Sequence, residues 1–306
     1  MRASRFVTAL VVCAAAFVPV LAHAQAWPAP AGAGSITLST QVIDNTGHRL
    51  SDGSRFVDGK SRNASAALDV DLALTDRLAV SLGLPYVAAK FIGPGAPPLV
   101  FRDVDRCRCW NSAWQNVNAA VRYTLIHGVV ALTPSLAVVV PSHNYEWLGE
   151  AVVGTALREL RLAVDAGARL EQVSPRLAVS ARYQYAAVED VLDVPNNRSN
   201  ASLTVSYLLS ERLSVRAGAS WQRTHGGLRF GSLPGAALVL PGEANTPERF
   251  FQHDRLLRDN HWHVGGGVTY SLPRLDVFAS YLQFVAGTDT HSGKALTLGV
   301  SVPFQR

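Results

Sequence analysis

The chain is poor in charge and sulfur, and beyond its first two dozen residues it has no long apolar run. Only 17% of its 306 residues are charged, one is methionine and three are cysteine. Past residue 26 no apolar stretch approaches the ~18 residues that a membrane-spanning helix requires. Cys107 and Cys109 are the only cysteines beyond position 13, and two sulfurs cannot complete a closed structural zinc site. The net charge of +5 suggests nucleic acid as a partner. The cations, however, are scattered through turns and strands and not clustered with aromatics, so nucleic acid is excluded. What remains is 48% hydrophobic with 24 glycines, a low-charge composition that suits a surface facing lipid.

The N-terminus reads as a processing signal. Arg2 and Arg5 give the positive region and Phe6 to Leu21 the apolar run. Ala22-His23-Ala24 or Ala24-Gln25-Ala26 gives the small-residue cleavage site. Residues 1–24 are assigned to a signal peptide, with cleavage after Ala24 or Ala26, and 27–306 to a single domain. Export implies an oxidising compartment.

Two phrases recur along that domain. Arg-Leu-x-Val begins at Arg77, Arg176, Arg212 and Arg274 just after turn residues, and once more at Arg161 inside a strand. Val-x-Tyr-x-Leu spans Val121 to Leu125, Val205 to Leu209 and Val268 to Leu272, and the last two run into a copy of the first phrase. A strand that ends, turns tightly and restarts, again and again, is a meander of hairpins.

Period-two alternation then sorts the faces. Leu296, Leu298, Val300, Val302 and Phe304 share one face, and Thr297, Gly299, Ser301 and Pro303 share the other. Val117, Ala119, Val121, Tyr123 and Leu125 likewise oppose Asn116, Asn118, Ala120, Arg122 and Thr124. A soluble sandwich would turn the oily face inward, and a membrane barrel turns it outward to lipid.

Three features favour the barrel. Short connections near 75–77, 126–128, 171–175, 210–212 and 272–274 alternate with mostly much longer loops near 45–62, 87–113, 142–156, 187–198, 224–258 and 287–294. Aromatics sort to both strand ends on the oily face. Tyr123, Tyr207, Tyr270 and Phe304 lie at the short-turn end, and Tyr86, Tyr185, Trp221 and Trp262 at the long-loop end, as two interfacial girdles. Trp114 lies at the second end with the wrong parity unless its strand is bulged. Strands of about ten residues also match a tilted membrane crossing. The expected fold is an all-β, transmembrane, antiparallel up-and-down barrel of about 12 strands (10–14), with both termini periplasmic. The strands should start near Ser35, Ala64, Leu78, Trp114, Val129, Leu157, Arg176, Asn200, Leu213, His261, Leu275 and Lys294.

On this register Asp69, Asp71, Arg122, Arg161, Asp165, Arg182, Arg216 and Asp276 line the lumen. Mixed signs suggest a paired network, serving either to fill a narrow barrel or to make a polar path for a solute. His261 and His263 flank Trp262 and would line the outer mouth. A metal held with His225 or His253 is the less favoured reading, and no metal or cofactor is expected. Cys107 and Cys109 are within reach of a disulfide that pins the long 87–113 loop near Trp110 and Trp114. Enzyme motifs are weak. Ser142-His143-Asn144, Glu189-Asp190 and His253-Asp254 are polar clusters in loops, and no catalytic residue is assigned.

Several phrases carry a family resemblance: Arg77-Leu-Ala-Val-Ser-Leu-Gly-Leu-Pro-Tyr86, Trp114 leading into Ala120-Val-Arg-Tyr123, Asn197-Arg-Ser-Asn200, Thr224-His-Gly-Gly227 and the segment from Gly287 to His291. Together they resemble the outer-membrane transporter-like family named for the meta-pathway of phenol degradation. The resemblance implies passage of small, often aromatic or hydrophobic compounds across the bacterial outer membrane, and it carries over no substrate-contacting residue. The expected partners are outer-membrane lipid, a small-molecule solute and, through the last strand ending in Phe304, the barrel-assembly machinery. No energy-coupling plug domain precedes the first strand, so passage should be passive. The alternative is a structural or adhesion barrel with a closed lumen and partner-binding loops.

Overall fold

The computed structural model describes residues 26–57, 59–93, 103–229, 249 and 252–305. The signal peptide assigned to residues 1–24 lies outside them. The strands are β1 (Ala33–Arg49), β2 (Arg55–Phe56), β3 (Lys60–Ala73), β4 (Leu78–Ile92), β5 (Asn111–Trp114), β6 (Asn116–Tyr123), β7 (Val130–Pro141) and β8 (Glu159–Arg169). They continue with β9 (Leu177–Val188), β10 (Asn196–Leu208), β11 (Leu213–Gly226), β12 (Asn260–Ser271), β13 (Asp276–Thr288) and β14 (Thr290–Gln305). Among the described residues two one-turn helices lie in the long connections, α1 (Asp103–Arg106) and α2 (His253–Leu256).

Each spanning strand pairs antiparallel with its neighbours in the chain, and β14 closes on β1. The result is a closed antiparallel barrel of 12 strands. The two-residue β2 only extends the β1 hairpin. β5 and β6 are one strand interrupted at Gln115, and both pair with β4. That interruption is the bulge needed at Trp114. The Gln115 N–H donates to the Pro85 carbonyl at 2.9 Å, and the slipped register turns Trp114 outward against Tyr86, their rings 5.1 Å apart and edge to face.

The repeated phrases fold as hairpin corners. Before Arg77, the Thr75 hydroxyl accepts from the N–H groups of Arg77 and Leu78. Before Arg212, the Ser210 hydroxyl accepts from those of Arg212 and Leu213. A hydroxyl that satisfies two turn amides replaces ladder bonds the corner cannot make. In one connection the structure departs from the expected loop lengths. β13 and β14 are separated by Asp289 alone, so 287–294 forms a strand-to-strand corner where a long loop was expected. Asp289 takes a positive φ of 52°, which short polar side chains tolerate. The alternation misled because Thr288 to Ser292 are polar at every position and resemble loop residues.

The large apolar side chains lie outside. Ile36, Leu38, Leu68, Leu82, Val121, Leu136, Leu162, Leu203, Val264, Leu296 and Val300 are exposed, flanked by Tyr123, Tyr207 and Tyr270 at one end and Tyr185 and Trp262 at the other. The buried residues on the opposite face are small or polar: Thr37, Gln41, Ser65, Ala79, Thr133, Ser280, Thr297 and Ser301. A groove of about 490 Å³ on this outer wall, between Val70, Leu82, Val121 and Val138, is lined almost wholly by apolar groups. Leu203, 51% exposed between the two girdles, gives a direct check. Leu203→Arg is expected to destabilise the barrel by ~2–4 kcal/mol in a lipid bilayer, read as a lower urea midpoint. No change in midpoint would mean that this face is not in lipid.

Candidate functional site

The inward face carries charge in discrete clusters. Arg122 of β6 reaches across β4, past the small side chain of Ala79, to an ion pair with Asp71 on β3. Arg182 of β9 donates to Asp165 of β8, its direct cross-strand neighbour, at 2.6 Å. Glu159 at the long-loop end of β8 accepts from Arg161 at 2.7 Å and from Arg198 of β10. Its side chain is only 4% exposed. Of the eight residues expected in the lumen, five join these pairs and three do not. Asp69 lies with Oδ1 2.6 Å from where a Cβ would stand on Gly83, so a larger residue there would have to push the carboxylate aside. Asp276 faces Ser301 beside the short-turn end. Arg216 places its guanidinium 6.0 Å from the centre of the Phe278 ring, and its buried Nε and Nη2 have no hydrogen-bond partner among the described residues.

Two members of the largest cluster escape the sequence reading. Glu159 shares parity with Arg161 two positions on, a signal that was present. Arg198 falls in a stretch expected to be loop, because β10 begins four residues before Asn200.

His261 and His263 both point into the lumen at the outer mouth, rings 4.6 Å apart and edge to face, with Phe284 5.9 Å beyond His263. His261 is oriented by Asp259, 3.1 Å from its Nδ1, and Asp259 also accepts from Gln222 at 2.8 Å and from Thr290. Arg49 lies over the Phe284 ring, 5.6 Å from its centre. Phe56, His48 and His291 stack in series nearby, with centroid separations of 6.5 and 4.5 Å. His48 and His291 share a polar niche of about 20 Å³ with Asn45, Phe91, Glu150 and Asp254, room for about one water. Of the two histidines considered as metal partners from sequence, the His253 side chain lies outside the described residues and His225 is turned away. His225 faces outward, on Tyr185 and hydrogen-bonded to Ser199 at 2.7 Å. Among the described residues no three metal-binding side chains are grouped to hold an ion.

Burial alone would raise the Asp259 carboxyl. The His261 imidazole and the hydrogen bonds from His261 and Thr290 outweigh it and hold the carboxyl well below the usual range. A depressed acid contributes stability that is present above its unfolded pKa of about 3.9 and lost as pH falls through its lower folded value. Asp259→Asn is therefore expected to weaken the mouth by ~1–3 kcal/mol at pH 7. The deficit should shrink as pH drops below about 4, read by hydrogen exchange of β12 and β13. An equal deficit at pH 7 and pH 2.5 would rule out the charge as its source.

Both ends of the lumen are narrowed by chain folded inward. At the outer mouth, Leu157, Val194, Leu228 and Leu256 pack on the inward-facing Ala186 and Val188. Tyr145, Ala151 and Val153 pack on the inward-facing Val87, Ala89 and Phe91 of β4. Arg255 of α2 ties the two loops together, donating to the carbonyls of Thr155 at 2.6 Å and Ala156 at 3.1 Å and stacking 4.5 Å from Trp147. Burial pushes the Tyr145 phenol up to about 12, so it stays neutral while it donates to Asn116 and accepts from the Ala156 N–H at 2.8 Å. At the short-turn end Trp27 sits inside the barrel. Its indole donates to the Gly128 carbonyl at 2.9 Å, and its ring lies so close to Gly167 that a Cβ there would come within 2.5 Å. The Ala26 carbonyl accepts from Thr133 at 2.7 Å.

Cys107 and Cys109 are bridged, with Cα atoms 5.2 Å apart. The bridged turn is coupled to the outer cap, since Asp105 accepts from the Ala151 N–H and Asn111 donates to the Ala151 carbonyl, both at 2.8 Å. Ser142 and His143 touch at 2.9 Å, but the Ser142 hydroxyl is also 3.0 Å from the Trp114 carbonyl, a strand-end contact.

No protein-family model matches the chain, and no curated protein matches it either. Solved structures do. An outer-membrane channel from Pseudomonas putida F1 is similar with a TM-score of 0.68 at 15% identity, over 91% of this chain and 97% of that one. The NanC porin is similar with a TM-score of 0.51 at 10% identity, over 87% of this chain and 98% of that one. At such low identity the likeness establishes the fold, that of outer-membrane barrels.

Proposed function

We propose that this chain is a bacterial outer-membrane channel through which a small solute diffuses passively. The observation that carries the reading is the inversion of its two faces. Apolar groups cover the outside, and the interior is polar, carries charges of both signs and is walled at its mouth by the rings of His48, His261, His263, His291, Phe56 and Phe284. Aromatic walls beside a charged waist suit small compounds with a ring and a polar group, because rings stack on rings and cations while the polar end keeps its hydrogen bonds. This agrees with the solute class implied by the resemblance to the phenol meta-pathway family. The non-enzymatic reading stands with it. Cleavage of the signal after Ala24 keeps Ala26 in its seat on Thr133, and the last strand, with Phe304 on its lipid face, is the segment offered to the assembly machinery.

The inward-folded loops favour a second reading, a structural or adhesion barrel whose lumen stays closed. Planar-bilayer recording of the refolded chain separates the two. Discrete conductance steps and swelling of liposomes in phenol or benzoate are expected; silence in both assays, from protein that shows a heat-modifiable gel shift, would leave the closed barrel.

A further inference from the structure

The outer wall changes character at the long-loop end of one arc. Along its lipid-facing register β14 runs from Val300 through Leu298 and Leu296 to Lys294. β1 runs from Leu38 through Thr40 and Val42 to Asp44, β3 from Leu68 through Ala66 and Ala64 to Arg62, and β4 from Leu84 through Tyr86 and Ala88 to Lys90. Lys294, Asp44, Arg62 and Lys90 are consecutive register partners, so their side chains form one row across four adjacent strands. With strands ~4.8 Å apart the row is ~14 Å wide. It lies one step beyond the last apolar residues and two steps beyond Tyr86 of the girdle, the level at which hydrocarbon gives way to headgroups.

Within this row Asp44 accepts from Arg62 at 2.5 Å. Lys90 and Lys294 form no ion pair among the described residues. Lys90 lies 5.9 Å from the centre of the exposed Trp110 ring, at the end of the bridged Cys107–Cys109 turn whose Arg108 is also exposed. Exposed Lys60 stands one step farther out on β3. Among the described residues no such row crosses the outward faces of β7 and β8. On β7 and β8 the outward face stays apolar through Val140 and Leu160, and Arg158 has a carboxylate beside it, its N–H donating to Glu189.

We propose that Lys294, Arg62 and Lys90, bounded by Trp110 and Lys60, form a seat for the phosphate groups of the phosphorylated glycolipid in the outer leaflet. Lysine and arginine bind phosphate through charge-assisted hydrogen bonds. Cations just beyond the apolar band gain most from an anionic surface because they need not leave the interface. Asp44 holds Arg62 extended along the row. The tryptophan supplies a flat face for the sugar or the acyl root. The proposal rests on the membrane placement given above and is independent of whether the lumen conducts.

The test uses the refolded full chain in neutral detergent micelles, titrated with bisphosphorylated lipid A, with the same lipid stripped of phosphate, and with phosphatidylglycerol. Binding is read from tryptophan fluorescence and from the shift in unfolding temperature. The wild type should bind the bisphosphorylated lipid and not the stripped one, with phosphatidylglycerol at least tenfold weaker. R62Q/K90Q/K294Q should lose about 100-fold in affinity, while R158Q on the opposite arc should keep it. If the triple variant shows no heat-modifiable shift, K90Q/K294Q, which leaves the Arg62–Asp44 pair intact, takes its place with an expected loss of at least tenfold. Equal affinity of variant and wild type, or equal affinity for phosphatidylglycerol and lipid A, overturns the proposal. Conductance of the same variants in plain phospholipid bilayers should match the wild type. A failed transport reading would therefore appear in that recording and leave the lipid titration untouched.

Discussion

Replacing Glu159 with leucine is expected to destabilise the barrel by about 3–5 kcal/mol, the usual cost of removing one partner from a buried charge cluster. The Glu159 carboxylate is almost wholly buried and has a guanidinium on each oxygen, Arg161 on one side and Arg198 on the other. Those arginine side chains are themselves only 16% and 11% exposed. Without the carboxylate, two like charges face one another in a confined lumen with neither paired. Glu159→Gln should recover part of the loss, because its amide oxygen still accepts hydrogen bonds, but not the charge. The combined replacement of Glu159, Arg161 and Arg198 by leucine should recover most of the stability, since removing a whole cluster is far cheaper than orphaning part of it. Urea unfolding of the refolded chain in detergent reads all three variants. The lumen also gains net positive charge in Glu159→Leu, so its zero-current potential in a salt gradient should move toward anions. A loss below ~1 kcal/mol, the range of an exposed pair, would mean that water already solvates this cluster.

Opening the outer cap should have the larger effect on passage. Leu256 is fully buried among Leu157, Val188, Val194 and Leu228, and truncating such a leucine costs ~2–5 kcal/mol of local packing. Leu256→Asp goes further, because a carboxylate in that cluster has no partner and must leave it for water. The destabilisation falls on the cap and not on the barrel wall, whose ladders do not depend on α2. Each ~1.4 kcal/mol lost by the closed cap raises the open-to-closed ratio about tenfold. Mean single-channel conductance or open time is therefore expected to rise several-fold, with the urea midpoint of the barrel nearly unchanged. Arg255→Ala, which cuts the ties to Thr155 and Ala156, should act in the same direction more weakly. Conductance equal to wild type in Leu256→Asp would show that this cluster does not obstruct the path.

The barrel was legible because its strands obey one rule over their whole length. Alternation fixed the inward parity of residues as far apart as Asp69 and Asp276, and the corners at Thr75 and Ser210 announce themselves by residue type. Trp114 broke parity visibly, and the bulge at Gln115 resolves it. Boundaries at the outer ends were less legible. There the lipid no longer demands an apolar face, so Asn196 to Ser199 and Thr290 to Gly293 are strands written in polar residues. Pairing partners were beyond reach for a different reason. Parity gives the face of Arg122 but not which side chain lies two strands away, and that depends on the stagger of the closed sheet. The caps were hidden too, because the apolar residues that form them, such as Val153 and Leu256, lie in loops with no period.

The seam between β1 and β14 also sets an order of events. Thr37 and Ser301 share a 2.8 Å hydrogen bond across 264 residues of sequence, and the ladder they belong to runs nearly the full length of both strands. These segments lie at opposite ends of the strand series, so β1 holds a single partner until β14 has been placed. During that interval its unpaired edge is a template for any other extended chain. Pairing of such distant segments is also intrinsically slow. Closure is therefore the last step and the one most exposed to error. A chain interrupted before Thr290 would carry two open edges into the membrane, where neither has water to satisfy it.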